Sequence, residues 1–278
     1  MPLYLVATPI GNLGDMTERA ATCLRDCDAV LAEDTRRALS LLRHLGIEGK
    51  PVERFDANVE HSPTREGRIA RCLERLSDGE SIALVSDAGT PTVSDPGAAL
   101  VARAIEVGIE VRPIPGVSAV TTAVAASGFG GDAFRFFGFL PRRGQQRQRA
   151  FERLVNTEEI AVLFEASTRI AATLTELAKL MPDRRAVIAR EMTKRFEEFV
   201  RGPLSELAES EHDHRGEFTL VLAPYQVAAR SFTDEQLRAR ITELTGQGMR
   251  SKAIAKMMSL ETGLPSGELY RLIISLGR

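Results

Sequence analysis

Leu3-Tyr4-Leu5-Val6-Ala7, followed at once by Thr8-Pro9-Ile10-Gly11-Asn12-Leu13-Gly14-Asp15, is the stretch on which the fold turns. A short unbroken apolar run bounded by turn residues has the character of a strand buried on both faces, as in a parallel sheet. The loop behind it, rich in Gly and Pro, fixes an unusual turn and lets a ligand approach the backbone. The same unit recurs down the chain. Asp28 to Ala32, Val52 to Phe55, Ser81 to Ser86 and Ile109 to Ile114 read as further strands. Between them Thr17 to Asp26, Arg36 to Leu45, Thr64 to Ser77 and Pro96 to Val107 carry helical spacing, with Gly46 and Gly108 standing where helices end. Repeated strand–helix–strand order predicts a mainly parallel sheet covered by helices on both sides.

At Pro115-Gly116 the pattern restarts. A helix from Ala119 to Ser127 leads to strands at Phe134 to Leu140, Ile160 to Glu165, Ala186 to Arg190, Glu197 to Arg201 and Phe218 to Ala223, the third and fourth spaced as a hairpin. This predicts a second, mixed α/β domain. After Pro224 three helical segments follow, Asp234 to Thr245, Ser251 to Glu261 and Ser266 to Leu276. They fit a helix-turn-helix module or a plain three-helix appendage equally. The expected domains are 1–114, 115–226 and 227–278.

Composition narrows the class. Of 278 residues, 44% are hydrophobic and 27% charged, enough apolar material for sizeable cores. No apolar run is long enough to span a bilayer and the N-terminus carries no signal peptide pattern, so a cytoplasmic protein without a membrane partner is expected. Three cysteines, an odd and low number, argue against a disulfide framework. Cys23 and Cys27 lack further ligands nearby, and His212 and His214 lack a third, so no metal site is expected. The net charge of −2 is unevenly spread. Arg135 to Arg153 sets six arginines against Glu152 alone, and Val227 to Arg278 sets eight basic residues against five acidic ones. Such segments can place positive fields on an acidic body, or be solvated faces and nothing more.

Three loops follow strands where an α/β ligand site should lie: Thr8 to Asp15, Ser86 to Gly97, and Pro113 to Ala119. No G-x-G-x-x-G follows the first strand and no P-loop exists, which excludes the common dinucleotide and nucleoside-triphosphate readings. Glu33-Asp34-Thr35-Arg36 ends the second strand. Its acids suit proton transfer or hydroxyl positioning, and Asp34 equally suits a helix N-cap. Glu191 and Lys194 offer either a second such group or an ordinary surface ion pair.

Taken together, these segments resemble a known family. Leu3 to Asp15, Ala32-Glu33-Asp34-Thr35-Arg36, Leu84 to Gly97, Ile114 to Ala119, Phe136-Phe137-Gly138-Phe139-Leu140-Pro141, Phe164-Glu165-Ala166-Ser167, Arg190-Glu191-Met192-Thr193-Lys194 and Gly216-Glu217-Phe218 are similar to the ribosomal RNA small-subunit methyltransferase I family of the tetrapyrrole methylase superfamily. One stretch departs, Ala166-Ser167-Thr168 standing where the family carries Ser, Pro and His or similar. The resemblance implies two α/β domains with a cofactor cleft between them, S-adenosylmethionine as cofactor, a homodimer, and 2′-O-methylation of a cytidine ribose in 16S rRNA within the small ribosomal subunit. Carried over by position, Ile10, Thr90, Val93, Gly116 and Val117 should line the cofactor site, with Asp87, Pro91, Ser118, Glu165 and Ala166 nearby. Asp34, Glu33 or Glu191 would take the hydroxyl proton. Arg36, Arg142, Arg143, Arg147, Arg149, Lys194, Lys252 and Lys256 would hold RNA. Methylation of a tetrapyrrole, and a non-enzymatic RNA-binding assembly factor with a vestigial cleft, are the alternative functions.

Overall fold

The computed structural model describes residues 1–56, 65–130, 133–210, 215–224, 234–247, 249–262, 264 and 266–276, without the side chains of 256 and 260–262. Five strands, β1 Leu3–Val6, β2 Ala29–Ala32, β3 Val52–Arg54, β4 Ile82–Val85 and β5 Val111–Ile114, form a wholly parallel sheet in the order β3-β2-β4-β1-β5. Successive side chains on a strand point to opposite faces, so a strand buried on both sides supplies two cores at once. Leu3, Leu31, Ile82 and Leu84 face α3 (Arg65–Ser77) and α4 (Ala98–Glu106), meeting Ile69, Leu73, Leu76, Leu100 and Ala104. Val6, Val30, Ala32, Ala83 and Val85 face the other way, toward α1 (Glu18–Asp26) and α2 (Thr35–His44), meeting Ala20, Leu24, Ala38 and Leu42. Thr17 caps α1 by accepting the Ala20 N–H. The expected doubly covered parallel sheet is thus present.

The second sheet holds β6 Phe134–Phe139, β7 Ile160–Ala166, β8 Arg185–Arg190, β9 Glu198–Pro203 and β10 Glu217–Leu222, in the order β6-β7-β10-β8-β9. Only β6 and β7 are parallel, and β8 and β9 form the expected hairpin. One face packs on α5 (Ala119–Ser127): Ile160, Val162, Val187, Ala189 and Val221 meet Val120 and Ala123. Ile10, from the loop after β1, joins this cluster and ties the first sheet to the second. Three further helices, α6 Gly144–Val155, α7 Ile170–Leu180 and α8 Leu204–Glu209, complete the unit. None of the three is among the helices that the sequence pattern predicts.

Residues 1–223, with both sheets, form one compact unit, and 224–278 form a second. The second unit is three helices, α9 Asp234–Gly246, α10 Ser251–Thr262 and α11 Ser266–Leu276, around Leu237, Ile241, Leu244, Ile254, Met258, Leu269 and Ile273. No described helix is long and apolar enough to cross a membrane. His61, His212, His214 and Gly263 lie outside the described residues. Among the described residues no group of His, Cys, Asp or Glu is arranged to hold a metal.

Candidate active site

The loops after β1 and β4 are pinned to each other at the carboxyl edge of the parallel sheet. Thr8 N–H donates to the Gly89 carbonyl at 2.8 Å and Gly89 N–H returns the bond to Thr8 at 3.0 Å. The loop from Ser86 to Gly97 then doubles back through two non-glycine residues in the left-handed region, Thr92 at φ 71° and Ser94 at φ 66°. Each costs on the order of 1 kcal/mol and persists only where the surroundings enforce it. The loop after β5 closes a third side, held by a bond from the Thr90 hydroxyl to the Val117 carbonyl at 3.3 Å. The fourth wall comes from the other sheet. Phe139 and Phe164 meet edge to face at 5.5 Å, and Ala166, Ser167 and Gly216 to Thr219 continue that surface.

These walls enclose a cavity of about 490 Å³. Of the residues that the resemblance places at the cofactor site, Ile10, Asp87, Thr90, Val93, Ser118, Glu165 and Ala166 line this cavity. Pro91, Gly116 and Val117 do not. Pro91 is buried beneath its own loop, and Val117 packs its side chain against the core under α5. Gly116 is pressed against the end of β1, where an added Cβ would stand 3.0 Å from the Ala7 Cβ. The glycine allows this close packing between loops. Glu165 contributes wall but no free carboxylate. Its acid group is fully buried, accepting from Ala166 N–H at 2.9 Å and the Thr173 hydroxyl at 2.7 Å, and pairing with Arg169.

The acids divide sharply. Asp34 caps α2 through the Arg36 N–H at 2.9 Å, and Arg36 also grips it with its guanidinium. These bonds hold its carboxyl far below the ordinary range, which suits an anchor and not a proton acceptor. Arg36 is spent on the same pair. Glu191, at φ 49°, accepts from Lys194 Nζ and the Glu217 N–H, both at 2.9 Å. Burial works to raise its pKa, but those partners outweigh it and the net direction is down. Lys194 also holds Glu217 at 2.9 Å, so it is a clasp rather than a free RNA contact. Gly216 sits under this clasp at φ 108°, where a Cβ would lie 2.6 Å from Glu191 Cγ.

Glu33 behaves differently. Half-burial, then the charges of Asp87 and Asp56, push its carboxyl up. Asp95, in the loop after β4, shares the cavity wall with Glu33 and Asp87. Burial, then the Glu33 charge, raises it from 3.8 to about 7. Asp87 itself accepts the Asp34 N–H at 2.9 Å and faces Arg37 at 3.5 Å.

The basic candidates divide too. Arg142, Arg143 and Arg149 stand exposed at the start of α6, with no ion pair among the described residues. Arg147 is turned inward. It donates to Glu176, the Thr173 hydroxyl and the Pro141 carbonyl, and stacks on Phe151 at 4.8 Å. It is therefore structural, because the third residue on from Gly144 falls on the helix face that meets α7. Lys252 is exposed on α10, and the Lys256 side chain lies outside the described residues.

Comparison with known proteins gives a consistent picture. A model of the Tetrapyrrole (Corrin/Porphyrin) Methylases matches residues 2–208. A ribosomal RNA small subunit methyltransferase I of Synechocystis is 42% identical, over 99% of this chain and 98% of its own. The protein of that name in Bacillus subtilis is 38% identical over 96% and 92%. Another, in Thermotoga maritima, is 45% identical over 223 residues, 80% of this chain and 97% of its own. Among solved structures, a diphthine synthase superimposes with a TM-score of 0.63 at 18% identity, over 80% of this chain and 90% of its own. A uroporphyrin-III C-methyl transferase from Thermus thermophilus, complexed with S-adenyl homocysteine, gives 0.56 at 17%, over 80% and 97%.

Proposed function

The chain belongs to the tetrapyrrole methylases and, within them, to the ribosomal RNA small subunit methyltransferase I family, and on that premise we propose that it transfers a methyl group from S-adenosylmethionine to the 2′-hydroxyl of a cytidine in 16S rRNA. The observation that carries this reading is full-length similarity to proteins of that name combined with a cavity suited to the cofactor. A sulfonium nucleoside has an adenine that wants an apolar slot and a cationic sulfur that wants anions. The cavity offers Ile10, Val120, Phe139 and Phe164 for the first, and Glu33 and Asp87 for the second, against Arg37 as the one cation lining it among the described residues. Ile10, Asp87, Thr90, Val93, Ser118 and Ala166 are the proposed holding residues.

When bound, the cofactor supplies an already activated methyl group. The protein's task is orientation, which can contribute roughly 7–11 kcal/mol. The hydrogen bonds between Thr8 and Gly89 and from Thr90 to Val117 keep the three loops from spreading, and so fix the lining residues relative to one another. The two phenylalanines of the second sheet give one side of the cavity an apolar surface.

Arg142, Arg143 and Arg149, and Lys252 on the helical unit, are the proposed phosphate contacts. Guanidinium groups without an internal partner are free to bind phosphate in a bidentate manner. Family membership also supports a cytoplasmic homodimer, which sedimentation at micromolar concentration would test. The whole reading is tested by mass spectrometry of 16S rRNA nucleosides from cells with and without the gene. Loss of one 2′-O-methylcytidine, restored by the gene, is expected. An unchanged nucleoside profile would overturn it.

A further inference from the structure

Removal of the 2′-hydroxyl proton needs a carboxylate that faces the cavity and is not already neutralised. Most acids at this cleft fail that condition. Asp34 is gripped by Arg36, Glu191 and Glu217 share Lys194, and Glu165 is buried with Arg169 and Thr173. Asp87 accepts a backbone N–H and faces Arg37. Two carboxylates remain, Glu33 and Asp95, both on the cavity wall. Asp95 is the more enclosed, and no cation is paired with it among the described residues. It directly follows Ser94, whose φ of 66° lies in the left-handed region. Strain of this kind is maintained where a side chain must be held in one place.

We propose that Asp95 accepts the proton of the ribose 2′-hydroxyl during methyl transfer, with Glu33 as the neighbouring anion that keeps it basic. This deepens the reading given above and rests on it. In the step, the 2′-oxygen forms a bond to the methyl carbon. The carbon–sulfur bond breaks with its electron pair passing to sulfur, and the O–H proton moves to an Asp95 carboxylate oxygen. The charged residues that share the cavity lining with Asp95 are Glu33, Asp87, Glu165, Glu217 and Arg37, of which Glu165 is paired with Arg169 and Glu217 with Lys194. The two whose charges act on Asp95, Glu33 and Asp87, are acids, so the local field favours proton uptake, and a base matched to neutral pH is the most effective kind. An environment that pushes Asp34 down and Asp95 up divides anchoring from proton transfer between two otherwise similar side chains.

The test uses the full-length protein with small ribosomal subunits and three variants, Asp95→Asn, Asp95→Glu and Glu33→Gln. Asp95→Asn should lower kcat by about 10²- to 10⁴-fold while calorimetry finds S-adenosylmethionine affinity within about threefold. Asp95→Glu should recover part of the rate. The acidic limb of kcat/KM against pH should lie near 7 in the native protein and move to lower pH in Glu33→Gln. Carbon-13 NMR of the Asp95 carboxyl in the free protein should titrate in the same range, a readout independent of turnover. Native turnover of Asp95→Asn, or an Asp95 carboxyl that titrates with ordinary aspartates, would overturn the assignment. Native protein that methylates no small-subunit RNA would instead overturn the parent reading, and this assignment with it.

Discussion

Arg36 holds both carboxylate oxygens of Asp34, Nε at 3.1 Å from Oδ1 and Nη2 at 2.7 Å from Oδ2, while its own N–H completes the cap of α2. The pair is exposed, yet it decides what Asp34 can do. A carboxylate this strongly stabilised as an anion is a poor base. Asp34→Asn preserves a good cap and should leave turnover within about threefold of native. Asp34→Ala removes the cap and should lower the melting temperature by a few degrees. The contribution is present above the unfolded value of 3.8 and is lost as pH falls through the depressed folded value. A collapse of turnover in Asp34→Asn, with the melting temperature intact, would return Asp34 to the mechanism.

Asp95 should show the opposite sign. Its folded value, about 7, lies above the unfolded 3.8, so the native state keeps a proton that the unfolded chain has lost, and stability declines between those limits as pH rises. Asp95→Asn escapes that decline. Its melting temperature should exceed the native one at pH 8, and the gap should close toward pH 4. Scanning calorimetry at the two pH values measures it, and an equal gap at both would contradict the burial of this acid.

Gly116 and Ala7 touch across two loops, and the prediction is a matched pair. Gly116→Ala puts a Cβ 3.0 Å from the Ala7 Cβ, so the loop carrying Ser118 must move off β1. Overpacking of this sort costs about 1–3 kcal/mol, and S-adenosylmethionine affinity should fall about tenfold. Adding Ala7→Gly removes the opposing methyl and should restore most of the affinity. No recovery in the double variant would mean that the glycine matters for another reason.

The arginines of α6 should separate into two kinds. Replacing Arg142, Arg143 and Arg149 by Gln should weaken rRNA binding and reduce the slope of log affinity against log salt by about 2 to 3, with the fold unchanged. Arg147→Gln should barely change that slope. It should cost about 1–3 kcal/mol of stability instead, through loss of Thr173, Glu176 and the Pro141 carbonyl. Chemical denaturation and filter binding across a salt series distinguish them, and an identical response from all four would refute the division.

Much of this was legible in the residues. Continuous apolar strands such as Ile82–Val85 announce a parallel sheet, because every side chain there is buried. Three loops at strand ends located the cavity. What escaped was whatever depended on partners far away in sequence. The first turn of α6, Gly144 to Arg147, contains no apolar residue, so its helical period surfaces only at Phe151 and Leu154. Arg147 looks like its exposed neighbours until α7 is placed beside it. Asp95, within Ser94-Asp95-Pro96-Gly97, reads as turn chemistry. Only Glu33, from the end of a different strand, gives it another meaning. The wall from Gly216 to Thr219 follows from β10 lying between β7 and β8, a pairing no local pattern encodes.

That placement of β10 has a consequence in time. The strand that arrives last from the ribosome occupies the middle of its sheet, bonded to β7 on one side and β8 on the other. Until it emerges, β6 with β7 and β8 with β9 are two separate ribbons with unpaired edges, open to wrong partners. These closing contacts can form only after β10 has been made, whereas the parallel sheet can assemble from the earlier-made portion of the chain. Competence to bind the methyl donor therefore comes as one late event during synthesis, when a single six-residue strand joins two half-built ribbons.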